Sequence, residues 1–453
     1  MSPLASITAF VRRAPLRTAA WLAASWIALA ALYQVLERMG FHEEMPRLFP
    51  ISIFSGPALH PAGVPWILLF AATLFFATAR AERLRPRGVF AAAFLLVLFG
   101  NLGQGGWKAG FEEPFTAGDI RYYHDAVKIR DAGAWLGAFN EIQPDLLVHS
   151  RTHPPFAVLL HYGILRTGGG AAALGISFTL LALLALPVTG AILRELGVPR
   201  ERRGPLLILF AVLPAVNIYS AASLDGVILL PATLFLYGLV LIGRPGRAVA
   251  GFLLVAAGFT GVNLLTFGGT YLLLAGGFAG VIELLRRERP RSLAATVVAL
   301  LLFGLTALVL RRLCGYDHVL ALRTAADFEN PGGFLGRVDP AAYFLTRIEN
   351  VAEIAFFLSF GALAALVRSN AGRAALQNLR DRGTGFLLAG AAALLLLFLA
   401  GAYRTGETAR TCLFFYPYLL LLFRNSGERG LRDAILLAGF QTGAMQLFTG
   451  YFW

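Results

Sequence analysis

Long apolar runs, separated by short polar stretches, extend along the whole chain of 453 residues. A run of about 20 apolar residues crosses a bilayer as a helix, and within hydrocarbon only helices and closed barrels satisfy their backbone hydrogen bonds. Barrel strands would alternate polar and apolar residues, and these runs do not alternate. The pattern therefore predicts an all-α, polytopic membrane protein with about 13–14 transmembrane helices. The candidate spans are 16–36, 64–81, 88–104, 154–167, 171–193, 205–221, 223–242, 248–266, 269–286, 291–311, 348–367, 384–402, 408–424 and 433–452.

The composition supports a single integral membrane domain over residues 1–453. Hydrophobic residues make up 57% of the chain and charged residues only 14%, whereas soluble domains carry roughly 25% charged residues. The net charge of +13 is carried almost wholly by arginine. These arginines lie in short loops between the apolar runs, which favours a membrane topology signal over nucleic-acid binding.

The two cysteines, Cys314 and Cys412, do not have the spacing of metal ligands, and a disulfide between them is left as an open alternative. The run at 16–36 is longer than a signal-peptide core and is interpreted as a retained first span.

Arginine-rich loops predict the orientation, because such loops stay on the cytoplasmic side. The loops 105–153 and 312–347 then face outward, as does the short segment 403–410. Successive loops should alternate between the two sides of the membrane, and a full crossing by segment 154–167 would place the arginine-rich loop 194–203 outside. This segment is short, so it either crosses the membrane or forms a partial element. We expect a multi-pass cell membrane protein, typical of a bacterial inner or plasma membrane. The arginine-rich loops are 80–87, 194–203, 244–247, 286–291, 368–382 and 424–432.

The stretch from Phe115 to Tyr162 concentrates acids, histidines and tyrosines in an otherwise apolar chain. Ionisable residues are costly in lipid, so their concentration indicates a functional region. The sequence predicts an amphipathic helix over 119–136, and Asp119 is either its N-cap or a catalytic acid. His153 precedes two prolines that fit the first turn of a span. It is either a hydrogen-bonding loop residue or a catalytic group.

The motifs GDIRYY at 118–123 and HPPF at 153–156 resemble the first large extracytoplasmic loop of GT-C superfamily glycosyltransferases. Members of that family are membrane enzymes that take a sugar from a polyprenyl-phosphate carrier. The resemblance implies a GT-C-like fold, with amphipathic helices in this loop, and transfer to an extracytoplasmic hydroxyl with inversion. It also implies that Asp119 is the general base. Most members have one span before this loop, whereas three are predicted here.

A second polar segment, 404–410, resembles a late-loop pattern of some bacterial GT-C-like proteins. Guanidinium groups bind phosphate through a planar set of donors, so Arg404 and Arg410 are candidates for the donor phosphate, with Glu407 orienting one of them. The alternatives are an exposed ion pair or contact with anionic lipid headgroups. At 221–226, AASLDG resembles a further signature of such enzymes, but a helix-capping role for Asp225 is the preferred interpretation.

These considerations define the expected site and its partners. We expect a polyprenyl-phosphate-sugar donor, a glycan, lipid or protein acceptor, contact with membrane lipids and no nucleic acid. No cofactor is expected, although Asp119 and Asp125 could bind a divalent metal. The rivals are a transporter or lipid flippase, a non-catalytic scaffold, and an acyl- or phosphotransferase. The expected catalytic residues are Asp119 and His153, and the expected substrate-binding residues are Tyr122, Tyr123, Asp125, Arg404, Glu407 and Arg410.

Overall fold

The computed structural model describes residues 14–39, 54–368, 378, 380–403 and 407–451. Most of these residues are helical, which confirms the all-α class. The first half of the chain forms α1 Ala14–Arg38, α2 Val64–Arg80, α3 Pro86–Leu102, α4 Glu113–Thr116, α5 Tyr122–Ala126, α6 Ala132–Ile142, α7 Val148–Arg151, α8 Pro155–Leu165, α9 Gly170–Leu183, α10 Ala185–Glu195, α11 Arg200–Val212 and α12 Pro214–Tyr219. The second half forms α13 Leu224–Ile242, α14 Ala248–Leu265, α15 Thr270–Leu285, α16 Arg291–Cys314, α17 His318–Glu329, α18 Leu335–Val338, α19 Pro340–Leu358, α20 Phe360–Arg368, α21 Arg382–Leu399, α22 Thr408–Thr411, α23 Tyr416–Leu420 and α24 Glu428–Phe448.

Shorter elements complete the described chain. The 3₁₀ turns are Pro61–Gly63, Gln143–Asp145, Phe267–Gly269, Leu413–Phe415 and Leu421–Phe423, and a π-helical turn covers Lys108–Glu112. Two short strands, β1 Phe54–Pro57 and β2 Thr449–Tyr451, pair antiparallel with Phe54 opposite Tyr451. This ladder is a small departure from the purely helical expectation.

The protein is a multi-pass membrane protein by the length and composition of its helices. Within the described residues, seven helices are long and apolar enough to cross a bilayer, and an eighth if the bent pair α19 and α20 forms one span. This is fewer than the predicted 13–14. The seven are Pro61–Arg80, Gly170–Glu195, Leu224–Ile242, Ala248–Leu265, Phe267–Leu285, Arg291–Cys314 and Arg382–Leu399.

Backbone breaks explain much of the difference, because several apolar runs are divided into helices too short to span alone. The run 205–221 is divided at Pro214 into α11 and α12, and the run 408–424 contains only short helical turns. The run 348–367 bends by 83° between α19 and α20. At this bend Gln441 of α24 accepts from the Phe360 amide at 2.9 Å and donates to the Phe356 carbonyl at 2.8 Å. The break is therefore stabilised by a side chain that satisfies its free backbone groups.

The helix α8 is a partial element, as the short run 154–167 allowed. It has 11 residues and is therefore about 16 Å long, roughly half the thickness of a bilayer's hydrocarbon core. Its His161 ring lies 4.8 Å from the Phe178 ring of α9, so the two helices pack against each other.

Several arginine-rich loops meet at one end of the helix assembly, here called the arginine end. Arg247 donates to Glu195 at 2.8 Å, and Arg244 lies 3.6 Å from the same carboxylate. Arg286 donates to the Asp381 carbonyl at 2.8 Å, and Arg424 pairs with the Asp381 carboxylate. Loops that are far apart in sequence thus share one end.

The loops 105–153 and 312–347 pack together at the other end of the helices. Asn140 and Asp317 exchange two hydrogen bonds of 2.8 Å, and Gln143 donates to the Ala321 carbonyl at 2.9 Å. The single amphipathic helix predicted over 119–136 is wrong: the structure has α5 and α6 instead. The second helix starts anew because the Asp131 side chain accepts from the Ala134 amide at 2.7 Å and caps it.

Candidate active site

A polar cleft lies where the outer loops meet the ends of α13 and α22. The cleft is formed by five separate parts of the chain, and its free volume is about 70 Å³. Histidine, arginine, tyrosine and aspartate side chains face one another in it. Its lining residues are Pro114, Phe115, Arg121, Tyr122, Tyr123, His149, His153, His161, Ala222, Ser223, Leu224, Asp225, Arg410 and Thr411.

The charged centre of the cleft is Arg410, whose side chain is only 7% exposed. Its guanidinium pairs with Glu407, three residues earlier, and its Nε lies 3.4 Å from Asp225 Oδ2. The Nε has no hydrogen bond of good geometry within the described chain. A buried guanidinium between two carboxylates is held in place by charge, while part of its donor capacity stays free.

Asp225 is positioned by the start of α13. The Ser223 hydroxyl oxygen accepts from the Asp225 amide at 3.1 Å and caps the helix, and the same hydroxyl lies 3.4 Å from Asp225 Oδ2. The sequence interpretation that made Asp225 the cap is therefore wrong: Ser223 is the extended residue just before the helix and caps it, whereas Asp225 lies in the first turn. The Asp225 carboxylate is left to face the cleft.

Three histidines surround the Tyr122 ring. The ring centroids of His149, His153 and His161 lie 5.5, 5.4 and 5.1 Å from that of Tyr122. The His153 Nδ1 lies 3.1 Å from the His149 carbonyl oxygen. A carbonyl can only accept, so Nδ1 carries the proton and the lone pair is on Nε2.

Burial controls protonation in the cleft. It lowers the pKa of His153 to about 4, with the nearby charge of Arg410 acting in the same direction. It also lowers the pKa of His149 strongly. The pKa of Arg121 is lowered to about 10, first by burial and then by the positive charge of Arg410. Burial alone would lower the pKa of Arg410, but Glu407 and Asp225 raise it. Both guanidiniums are charged at neutral pH, and the histidines are neutral.

A larger cavity, here called the chamber, adjoins the cleft. Its volume is about 430 Å³, and it shares His153, Asp225 and Thr411 with the cleft lining. Apolar side chains such as Ile228 and Phe414 line other parts of it. Asp225 and His153 therefore lie at the boundary between a small charged cleft and a space large enough for a ligand.

The structure brings together only part of the residue set expected from sequence. Tyr122, Tyr123, His153 and Arg410 line the cleft, and Glu407 joins them through its ion pair with Arg410. The side chain of Arg404 lies outside the described residues.

Two expected acids lie elsewhere. Asp119 is exposed, in a turn before α5, and is not part of the cleft or chamber lining. Asp125 is buried, accepts from the Leu147 amide at 3.0 Å and pairs with Lys128 at 3.2 Å. Its carboxylate therefore holds the loop together rather than facing the cleft.

Sequence reasoning missed several cleft residues. Arg121 and His149 were inside the polar stretch but carried no role, and His161 was within an apparent span. A usable signal for His161 was its place within an apolar helix, since ionisable residues are rare there. In the parts of the chain that the structure describes, no group of three or more His, Cys, Asp or Glu side chains is arranged to hold a metal ion.

No family model, no curated protein and no solved structure matches this chain.

Proposed function

We propose that the chain is a membrane glycosyltransferase that moves a sugar from a polyprenyl-phosphate donor to an acceptor hydroxyl. The observation that carries this proposal is the position of Asp225 and His153, which line both the arginine-containing cleft and the larger chamber. Glycosyl transfer moves a sugar from a charged leaving phosphate to a bulkier acceptor, so its reactive groups need to lie where the phosphate site and the acceptor site meet. The resemblance of segments 118–123 and 153–156 to GT-C enzymes supports the same reaction.

In this mechanism the cleft binds the phosphate of the donor. Arg410 and Arg121 both carry positive charge there, and Arg410 lowers the pKa of Arg121. A phosphate between them would relieve this repulsion and form charge-assisted hydrogen bonds. The same cations would stabilise the negative charge that the phosphate gains as it leaves.

Asp225 takes the role of general base that the sequence assigned to Asp119. The acceptor oxygen attacks the anomeric carbon, its proton passes to the Asp225 carboxylate, and the bond from that carbon to the phosphate oxygen breaks with its electron pair on the phosphate. Attack opposite the phosphate inverts the anomeric centre. The Nε2 of His153 accepts a hydrogen bond from a sugar or acceptor hydroxyl and positions it.

The location of the cleft bears on which side of the membrane the proposed transfer takes place. Asp225 begins α13, and this helix ends at Ile242, beside the loop that carries Arg244 and Arg247. If the arginine end is cytoplasmic, as the positive-inside rule expects, then the cleft is extracytoplasmic. The acceptor would be a glycan, lipid or protein of the cell envelope.

The test is transfer by purified protein from a panel of polyprenyl-phosphate sugars, with product detected by mass spectrometry. Removing a general base typically costs about 10²- to 10⁴-fold in rate, so we expect Asp225→Asn to lose activity to that extent. The matched control is Asp119→Asn, which makes the same chemical change at the exposed carboxylate and is expected to keep the wild-type rate.

The opposite result, an inactive Asp119→Asn protein and an active Asp225→Asn protein, would return the base role to Asp119. A second assay addresses the rival function. Wild-type protein that forms no product, but moves a labelled polyprenyl-phosphate sugar across liposomes, would identify a flippase and overturn the proposal.

A further inference from the structure

A second cavity lies far from the cleft, in a groove between α3, α10 and α11 near the arginine end. Its volume is about 300 Å³. Its stem is apolar, with Val89 and Phe90 from α3, Leu186 from α10 and Leu207 from α11. These side chains are apolar, so the groove is suited to hydrocarbon.

Three arginines stand at the mouth of this groove. They are Arg194 at the end of α10, and Arg200 and Arg203 in the first turn of α11. Arg194 lies 3.6 Å from Glu195, with its side chain 55% exposed, so this ion pair is weak. Within the described part of the chain, no carboxylate forms an ion pair with Arg200 or Arg203. The charges of Arg200 and Arg203 are therefore not compensated by an ion pair within the described chain.

A neighbouring cavity at the same end has a different charge pattern. Its lining places three arginines together with three glutamates, so its charges compensate one another. The charged residues of that cavity are Glu82, Arg83, Glu201, Arg202, Glu428 and Arg432. The groove combines arginines with an apolar stem instead, and its lining contains no acid.

We propose that the groove binds one anionic phospholipid, with its phosphate at Arg194, Arg200 and Arg203 and an acyl chain along the apolar stem. Guanidiniums bind phosphate through several N–H donors, and basic pockets between membrane helices suit anionic headgroups. The apolar stem adds the requirement for a hydrocarbon chain, which a free phosphate does not meet. This site is separate from the cleft, and its occupancy does not depend on the proposed glycosyl transfer.

The experiment measures lipid binding to the full chain, purified in detergent and freed of native lipid. Phosphatidylglycerol is titrated and bound lipid is counted by native mass spectrometry. Phosphatidylcholine with the same acyl chains tests the charge requirement, and glycerol 3-phosphate tests the headgroup without a chain. We expect phosphatidylglycerol to bind tightly, and phosphatidylcholine and glycerol 3-phosphate to bind much more weakly.

Two charge variants are compared. The triple variant Arg194→Gln, Arg200→Gln and Arg203→Gln should weaken phosphatidylglycerol binding on the order of 100-fold, since each arginine near an anionic lipid contributes roughly a fivefold effect. The control triple Arg83→Gln, Arg202→Gln and Arg432→Gln removes the same charge from the neighbouring cavity and should bind like wild type. Arg200→Gln alone, with a roughly fivefold loss, replaces the triple variant if that protein does not fold.

The apolar stem is tested by Gly190→Leu, which leaves the three arginines in place. A Cβ added at Gly190 would lie 3.3 Å from Leu207 Cδ1, the flexible end of a side chain, so the new side chain should occupy the stem. It should reduce binding of phosphatidylglycerol while thermal unfolding stays near wild type. Equal loss in both triple variants, equal binding of phosphatidylcholine, equal binding of glycerol 3-phosphate, or full binding by Gly190→Leu would each overturn the proposal.

Discussion

A hydrogen bond to the backbone sets which ring nitrogen of His153 can accept a hydrogen bond. Its Nδ1 is committed to the His149 carbonyl, so the ring presents Nε2 as an acceptor. The neighbouring His149 has a buried Nε2 without a hydrogen-bond partner in the described chain. Such buried, unsatisfied polar atoms are uncommon in folded proteins. In the proposed reaction, a hydroxyl of the sugar or acceptor would donate to the His149 Nε2.

The depressed pKa of His153 predicts an effect of acid on stability. The folded pKa of about 4 lies below the ordinary value of 6.5, so the unfolded chain binds a proton first as pH falls. Stability is then fully present above pH 6.5 and declines from there towards pH 4. We expect the contribution of His153 to the unfolding temperature to fall across this window.

The variant His153→Gln removes this proton site while keeping a polar side chain. Its unfolding temperature should fall less steeply between pH 6.5 and pH 4 than that of wild type. His149 titrates in the same direction, so some decline should persist. Identical slopes for wild type and His153→Gln would mean that His153 is not buried in its neutral form.

At the scale of elements, α13 and α14 pack so closely that backbone meets backbone. A Cβ added at Gly258 of α14 would lie 2.5 Å from the Pro231 carbonyl oxygen and 2.6 Å from the Phe235 amide nitrogen of α13. Small residues at such positions allow membrane helices to approach. The contact matters for the cleft, because α13 carries Asp225 at its start.

Gly258→Ala should therefore destabilise the protein by about 1–3 kcal/mol, since the atoms it meets cannot move aside. The control is Gly277→Ala in α15, where an added Cβ meets nothing within 4 Å. That change should be neutral or stabilise by up to about 1 kcal/mol, because alanine loses less entropy than glycine in a helix. Thermal unfolding in detergent measures both, and equal stability of the two variants would contradict this account of the helix contact.

The whole molecule is polarised between the arginine end and the cleft end. At the arginine end, Glu195 and Asp381 form ion pairs and hydrogen bonds with arginines from other loops. At the cleft end, Asn140 and Gln143 form hydrogen bonds with the loop 312–347. The two ends are separated by the length of α13, which has 19 residues and spans about 28 Å.

This polarity predicts that the two ends lie on opposite sides of the membrane. In a background with Cys314→Ala and Cys412→Ala, Asp327→Cys and Arg429→Cys place single thiols at exposed positions of the cleft end and the arginine end. A membrane-impermeant maleimide should label Asp327→Cys in intact cells and Arg429→Cys only after permeabilisation. Reversed labelling would place the cleft on the cytoplasmic side.

The sequence by itself determined the class of the molecule. Apolar runs and a low charged fraction place the chain in a membrane, where only helices and closed barrels satisfy the backbone. The runs do not alternate polar and apolar residues as barrel strands do, so they form helices. The same reasoning located the polar stretch that contains Tyr122 and His153, since ionisable groups are not placed in lipid without a role. The resemblance of segment 404–410 to a late-loop GT-C pattern also singled out Arg410, and its role in binding phosphate stays a prediction.

Only the tertiary structure decided which of these residues meet. Asp119 and Asp225 are both acids near the start of a helix, and local sequence favoured the first. Packing leaves Asp119 exposed, whereas Asp225 lies 3.4 Å from a guanidinium that is 185 residues away in the chain. The number of spans was also decided by packing, since bends such as the one between α19 and α20 depend on a distant partner, Gln441. Hydropathy reports the preference of each residue for lipid. Ion pairs between distant residues, and hydrogen bonds to the free backbone groups of a bent helix, depend instead on the contacts between helices.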